Sequence, residues 1–199
     1  MTQQVIAIHG GVTFSSYKKY IDGLKSIVLE REKLKYKREW KDYITEDLGG
    51  KYEVLLPRMP NPVNAKYIEW SMWFEKVIPL LKNNSILIGH SLGGVFLAKY
   101  LSQNVLPKKI KALILIAAPF KELESEELAS FCLPKSLTKL SKQVKNIILF
   151  QSEDDEVVPL DHVYMYNKEL PNSKVVLFKD KGHFKQEHFP ELVDIIKNL

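Results

Sequence analysis

Residues 85–94 read Ser-Ile-Leu-Ile-Gly-His-Ser-Leu-Gly-Gly. A short apolar run ends in Gly89-His90-Ser91-Leu92-Gly93, with Gly94 behind it. The pattern G-x-S-x-G suits a strand that turns sharply into a helix with one serine at the apex. A strained backbone at the apex projects the hydroxyl clear of the chain. Strand and helix then approach so closely that side chains two positions either side of the serine would collide. Gly89 and Gly93 have no Cβ and remove that clash. Leu92 starts the helix, so its N–H can donate to a developing oxyanion. The chemistry open to such a turn is covalent acyl transfer through Ser91. With 9 glycines in 199 residues, chance alone supplies such a match roughly 0.03 times, so context must carry the rest.

A serine hydroxyl is a weak nucleophile. It needs a base within hydrogen-bond reach, and the base needs a carboxylate to orient it. The stretch Gln151-Ser152-Glu153-Asp154-Asp155-Glu156-Val157-Val158-Pro159 holds four competing carboxylates. Asp155 is the preferred orienting acid, because it lies at the tip of a loop whose Val-Val-Pro docks back; Asp154 is second. A different use of these acids is to complement the dipole of a helix starting near Leu160. Among the histidines, His183 follows Gly182 in Lys179-Asp180-Lys181-Gly182-His183-Phe184 and is the preferred base. His188 stands where the last helix begins, His162 falls early in a helix, and His90 flanks the serine and shapes the pocket. For the oxyanion, His9-Gly10-Gly11-Val12 offers Gly11 as the partner of Leu92, with Val12 a further candidate. Expected pocket walls are Val12, Phe14, Pro119, Phe120, Val157 and Phe184.

Six apolar, β-branched runs must position these groups: Val5–Ile8, Tyr52–Leu56, Ile86–Ile88, Ala112–Ile116, Asn146–Phe150 and Lys174–Phe178. None alternates cleanly between polar and apolar, as expected of strands buried on both faces. Helix-length segments separate them: Phe14 to about Trp40, Ala65–Leu81, Leu92–Gln103, Leu160–Leu170 and His188–Leu199. Strands alternating with helices predict a parallel sheet covered on both faces, a three-layer α/β sandwich. Reactive groups collect at the carboxyl ends of the strands of such sheets. Gly11, Ser91, Asp155 and His183 each follow a predicted strand.

Composition narrows the class. A chain of 199 residues, 45% hydrophobic and 27% charged, fits one globular domain over residues 1–199. The single cysteine, Cys132, excludes a disulfide framework and a multi-cysteine zinc site, and reads as a small buried or half-buried residue. No basic leader, h-region or membrane-length apolar run is visible, so a cytoplasmic protein with no membrane partner is expected. The net charge of +5 draws on the segment Lys18–Lys41. Its signs intermix, as on a solvated helix face, and no nucleic-acid partner is expected.

The succession His-Gly-Gly, Gly-His-Ser-Leu-Gly-Gly, Asp-Asp-Glu-Val-Val-Pro and Gly-His-Phe resembles that of α/β-hydrolases and spans residues 9–184. Within that superfamily the chain resembles the small cap-less serine hydrolases related to retinoblastoma-binding protein nine and their bacterial relatives. Leu56–Pro62, Trp70 and Trp73 carry this finer likeness. The resemblance implies a minimal hydrolase fold with a six-stranded, mostly parallel sheet in the order 2-1-3-4-5-6. It also implies a triad of Ser91, Asp155 and His183 that cleaves small esters or amides through an acyl-enzyme. The substrate would be a small molecule, no metal or organic cofactor is called for, and the protein would be a monomer or homodimer. A non-catalytic interaction module and an acyltransferase are the alternatives on the same scaffold. The chain departs from the pattern twice. Ser15–Asp47 exceeds a simple first helix. Residues 117–143 form a cap-like segment too short for a full cap, which predicts a pocket that is shallow or completed by the first helix.

Overall fold

The computed structural model describes residues 2–124 and 126–199, with Lys33 described by its backbone alone. Ser125, in the cap-like segment, lies outside the described residues. Six strands form one sheet: β1 (Gln3–Ile8), β2 (Tyr52–Leu55), β3 (Ser85–His90), β4 (Ile110–Ile116), β5 (Asn146–Ser152) and β6 (Lys174–Phe178). Every pairing is parallel, and the order is β2-β1-β3-β4-β5-β6. This is the order that the resemblance implies.

The apolar runs lack a polar face because each face of the sheet meets a layer of helices. On one face Ile6, Ile8, Leu87, Leu113, Leu115 and Leu149 pack against Trp70 and Phe74 of α3 (Tyr67–Val77) and Phe96 and Leu101 of α4 (Leu92–Gln103). Leu140 of α5 (Thr138–Gln143) and Tyr166 of α6 (Asp161–Glu169) join the same cluster. The alternate residues Val5, Ala7, Ile86, Ile88, Ile114 and Phe150 face the other way. There they meet Trp40, Ile44 and Leu48 of α2 (Trp40–Leu48), and Leu192, Val193 and Ile196 of α7 (Pro190–Asn198). Residues i and i+2 of a strand share a face, so one apolar run feeds two cores.

The segment expected to be a helix from Phe14 to about Trp40 is broken. Helix α1 covers Tyr17–Ser26 and buries none of its residues. At Ile27 the backbone turns extended, with φ −67° and ψ 122°. The exposed, β-branched Ile27-Val28 pair disfavours another helical turn. A helix stabilised by no buried stripe has little to extend it. Helix α2 then starts at Trp40 with a capping box between Glu39 and Asp42. Its buried Trp40, Ile44 and Leu48 recur at every fourth position, the stripe that α1 lacks.

The segment 117–143 lies on the helical layer. Leu128, Phe131, Leu137 and Leu140 are buried there, with Phe131 edge-on to Trp70 at 5.2 Å. Cys132, expected to be buried or half-buried, is exposed. Its thiol donates to Glu122 at 3.3 Å, on the carboxylate that also accepts from the Leu128 and Ala129 N–H groups, which keeps Cys132 at this polar surface and out of the core.

Candidate active site

Ser91 sits between β3 and α4 with φ 54° and ψ −124°, outside the regions open to an unstrained side-chain-bearing residue. Strand pairing holds it there, since its N–H donates to the Ile116 carbonyl at 2.8 Å. The glycines around it are sterically required. A Cβ on Gly89 would lie 2.6 Å from the Gly93 oxygen, and one on Gly93 would lie 2.5 Å from the carbonyl oxygens of Ile8 and His9. Gly10 also matters: its Cβ would press on the Ser91 Cβ at 3.1 Å and approach Oγ at 3.6 Å.

The acid and the base come from the ends of β5 and β6. His183 Nδ1 lies 3.1 Å and 3.0 Å from the two carboxylate oxygens of Asp155. The Asp155 side chain is fully buried, whereas His183 is 11% exposed. Oδ1 of Asp155 accepts from the N–H groups of Val157 at 2.8 Å and Val158 at 3.0 Å, and Gln151 Nε2 donates to Oδ2 at 3.2 Å. Such a carboxylate holds the proton of a neutral imidazole on Nδ1 and leaves Nε2 as the basic nitrogen. Asp154, the second candidate, has a different task. Its Oδ1 accepts from Ser152 Oγ at 2.5 Å and Gly182 N–H at 2.8 Å. The Ser152 hydrogen bond, first among these contacts, holds its carboxyl below the usual range. Asp154 therefore ties the two loops together, and Asp155 faces the imidazole.

Three further residues support this arrangement: His90, expected to shape the pocket, lines the cavity, whereas His9 and Trp40 lie beyond the expected set. His90 donates from Nε2 to the His183 carbonyl at 2.9 Å, so its Nδ1 is the acceptor facing Lys41 Nζ at 3.4 Å. Burial, then the charge of Lys41, hold His90 well below the ordinary histidine pKa. Trp40 donates its indole N–H to the Phe184 carbonyl at 3.1 Å and its backbone N–H to the Gln186 carbonyl at 2.7 Å. His9 accepts from the Met59 N–H at Nε2, 2.8 Å away, and donates from Nδ1 to the Gly10 carbonyl at 2.6 Å. Its pKa is lowered, first by burial. In sequence His9 shows only its place before the two glycines, and Trp40 only its spacing to Ile44 and Leu48.

A cavity of about 390 Å³ opens over Ser91, lined by His9, Gly10, Gly11, Val12, His90 and His183 among others. Val157, Pro62, Val63, Glu126, Glu39, Lys41 and Lys185 complete its wall. Ser91 and His183 thus share one cavity, with no hydrogen bond between them in this structure. The N–H groups of Gly11 and Leu92 carry no hydrogen bond among the described residues. The Val12 N–H is taken by the Pro62 carbonyl at 2.8 Å, which removes it as an oxyanion donor.

Of the expected pocket walls, Val12 and Val157 line the cavity. Phe14 lines an adjoining groove instead. Pro119 and Phe120 are drawn off by α6: the Pro119 carbonyl accepts from Tyr166 Oη at 3.1 Å, and the Phe120 N–H donates to His162 Nδ1 at 2.9 Å. Phe184 turns inward with φ 54°. It is fully buried, 5.4 Å from the Phe189 ring and 5.5 Å from Phe178. It anchors the His183 loop and does not wall the cavity. His188 lies apart and faces Asp47 at 3.0 Å. Among the described residues no group of three or more His, Cys, Asp and Glu is arranged to hold a metal ion, and no helix is long and apolar enough to cross a membrane.

A family model described as serine hydrolase matches residues 35–194. Serine hydrolase RBBP9 of Rattus norvegicus is 30% identical over 157 residues, covering 77% of this chain and 81% of that protein. The ydeN gene product of Bacillus subtilis superposes with a TM-score of 0.78 at 20% identity, covering 99% of this chain and 98% of that one. This second likeness carries the fold, a small α/β-hydrolase. With a family match over most of its length, and a mammalian relative that shares nearly a third of the aligned residues, the chain belongs to the serine hydrolase family.

Proposed function

We propose that the protein hydrolyses a small carboxylic ester or amide through an acyl-enzyme on Ser91. The observation that carries this reading is the pairing of His183 Nδ1 with the buried Asp155 carboxylate, on the wall of the cavity that also holds the strained Ser91. With Nδ1 occupied, Nε2 takes the Ser91 proton as Oγ attacks the substrate carbonyl. The imidazolium, stabilised by Asp155, then returns that proton to the leaving alkoxide or amine. Water, deprotonated by the same nitrogen, attacks the acyl-enzyme and releases the acid and free Ser91. The N–H groups of Gly11 and Leu92 receive the tetrahedral oxyanion, a contribution of about 3 kcal/mol per donor in related chemistry.

A short-chain p-nitrophenyl ester assay tests this. Wild-type protein is expected to release p-nitrophenolate and Ser91→Ala is not. Equal rates in the two proteins would refute the reading.

A further inference from the structure

The cavity over Ser91 does not end at its own wall. A second groove, of about 540 Å³, runs beneath α1, and Val12, Val63 and Glu126 belong to both. Its other walls include the apolar Phe14, Tyr20, Leu24 and Ile27, and the polar Thr13, Lys19, Asp22 and Glu127, of which Lys19 and Glu127 pair with each other and Asp22 with Lys18. Helix α1 buries none of its residues, yet it is held in place. Lys19 pairs with Glu127. The Ser15 N–H donates to the same carboxylate at 2.6 Å, and Lys66 donates to the Phe14 carbonyl at 2.6 Å. Gly23 lets Phe14 lie flush on the helix, since a Cβ there would stand 3.0 Å from the ring. The polar bonds thus fix a helix whose Leu24, 46% exposed, and whose following residue Ile27, 56% exposed, face an open groove.

The direction of the groove identifies the part of the substrate that enters it. This step rests on the acyl-enzyme reading above. The oxyanion lies at Gly11 and Leu92, and the leaving group must lie at His183 to receive its proton. The acyl substituent takes the remaining direction. The groove shares its wall with Val12, next to Gly11, and no residue of the His183 loop lines it. We infer that the substrate is an ester or amide of an aliphatic acid, whose acyl chain runs from Ser91 past Val12 and Val63 into the groove under α1.

The test is a series of p-nitrophenyl esters from acetate through butyrate, hexanoate and octanoate, with kcat/KM measured on wild type, Leu24→Glu and Val28→Glu. Val28 is exposed and lies outside the groove, so it controls for a new surface charge. In wild type kcat/KM is expected to rise about two- to fourfold per added methylene as the chain enters the groove. Leu24→Glu should lower the octanoate-to-acetate ratio at least about tenfold, and Val28→Glu should leave that ratio as in wild type. A flat chain-length profile, or equal ratios in both variants, would overturn the inference while leaving the hydrolase reading in place. A second measurement does not need turnover: calorimetric titration of Ser91→Ala with octanoate. Binding that Leu24→Glu abolishes would support the groove even if every ester proved inert, an outcome that would count against the acyl-enzyme alone. Absence of octanoate binding in a protein that also hydrolyses no long-chain ester would overturn it. If size-exclusion chromatography shows a dimer that Leu24→Glu dissociates, with no change in chain-length ratio, the groove is a self-association surface and the inference fails.

Discussion

The ends of β3, β5 and β6 differ sharply from the segment between β1 and β2. At the strand ends, Asp155 and the His183 loop are held by a set of backbone and side-chain hydrogen bonds. Asp155 has three donors besides the imidazole, and the His183 loop is gripped by Asp154, His90 and Trp40. In the other region α1 buries no side chain, and Val28, Leu29, Leu34 and Tyr36 are exposed. Rigid strand ends suit a constellation that must be held to fractions of an ångström. A helix attached by surface polar contacts can vary without disturbing it. Under the proposed function, chemistry would fall to the first region and substrate choice to the second.

Substitutions should respect that division. The largest effect is expected from His183→Ala, which removes the proposed base and should lower kcat on a short-chain ester by about 10⁵-fold or more. Asp155→Asn keeps the shape but disturbs the tautomer, with an expected loss of about 10⁴-fold. Asp154→Asn weakens a loop tie and should cost less than about tenfold. A reversal of that order would show that the wrong carboxylate faces the imidazole. Steady-state kinetics on the three variants decides it.

Gly93→Ala forces a Cβ to 2.5 Å from backbone oxygens. It should lower the free energy of urea unfolding by about 3 kcal/mol.

His90 predicts a pH effect on stability. Its folded pKa is held well below 6.5, first by burial and then by Lys41, so below about pH 6.5 the unfolded chain binds the proton more readily. The stabilisation is complete above that pH and is lost as pH falls towards the folded pKa. In His90→Gln the acid-side slope should flatten by up to about 1.4 kcal/mol per pH unit, read from urea unfolding at a series of pH values. Lys35→Ala, which breaks the exposed Lys35–Glu32 pair, should change unfolding free energy by less than about 0.5 kcal/mol. A larger loss would mean that the segment before α2 is not the loose region described.

Much of this contrast is legible in the residues. Ser91, Asp155 and His183 each follow an apolar run, and in a parallel sheet the ends of such runs meet at one edge. The paired glycines announce a close backbone approach, because no other residue avoids the collision at Gly89 and Gly93. What local pattern cannot show is which distant group takes each donor. Phe184 sits beside His183 and reads as a wall, yet it turns inward to an aromatic cluster. Pro119 and Phe120 follow a strand end, yet His162 and Tyr166 draw them to α6. Trp40 reads as the end of a charged helix, while its indole reaches a carbonyl 144 residues away. The break between α1 and α2 was hidden for the same reason: intermixed charge has no period, so the only signal was the spacing of Trp40, Ile44 and Leu48.

The central claim is that Ser91 is the nucleophile, and labelling with a fluorophosphonate tests it most directly. After reaction of the folded protein, peptide mass spectrometry should find one adduct, on the peptide carrying Ser91. Prior unfolding should abolish it, and so should His183→Ala. Absence of an adduct in the folded protein, or an adduct on a different serine, would contradict the account.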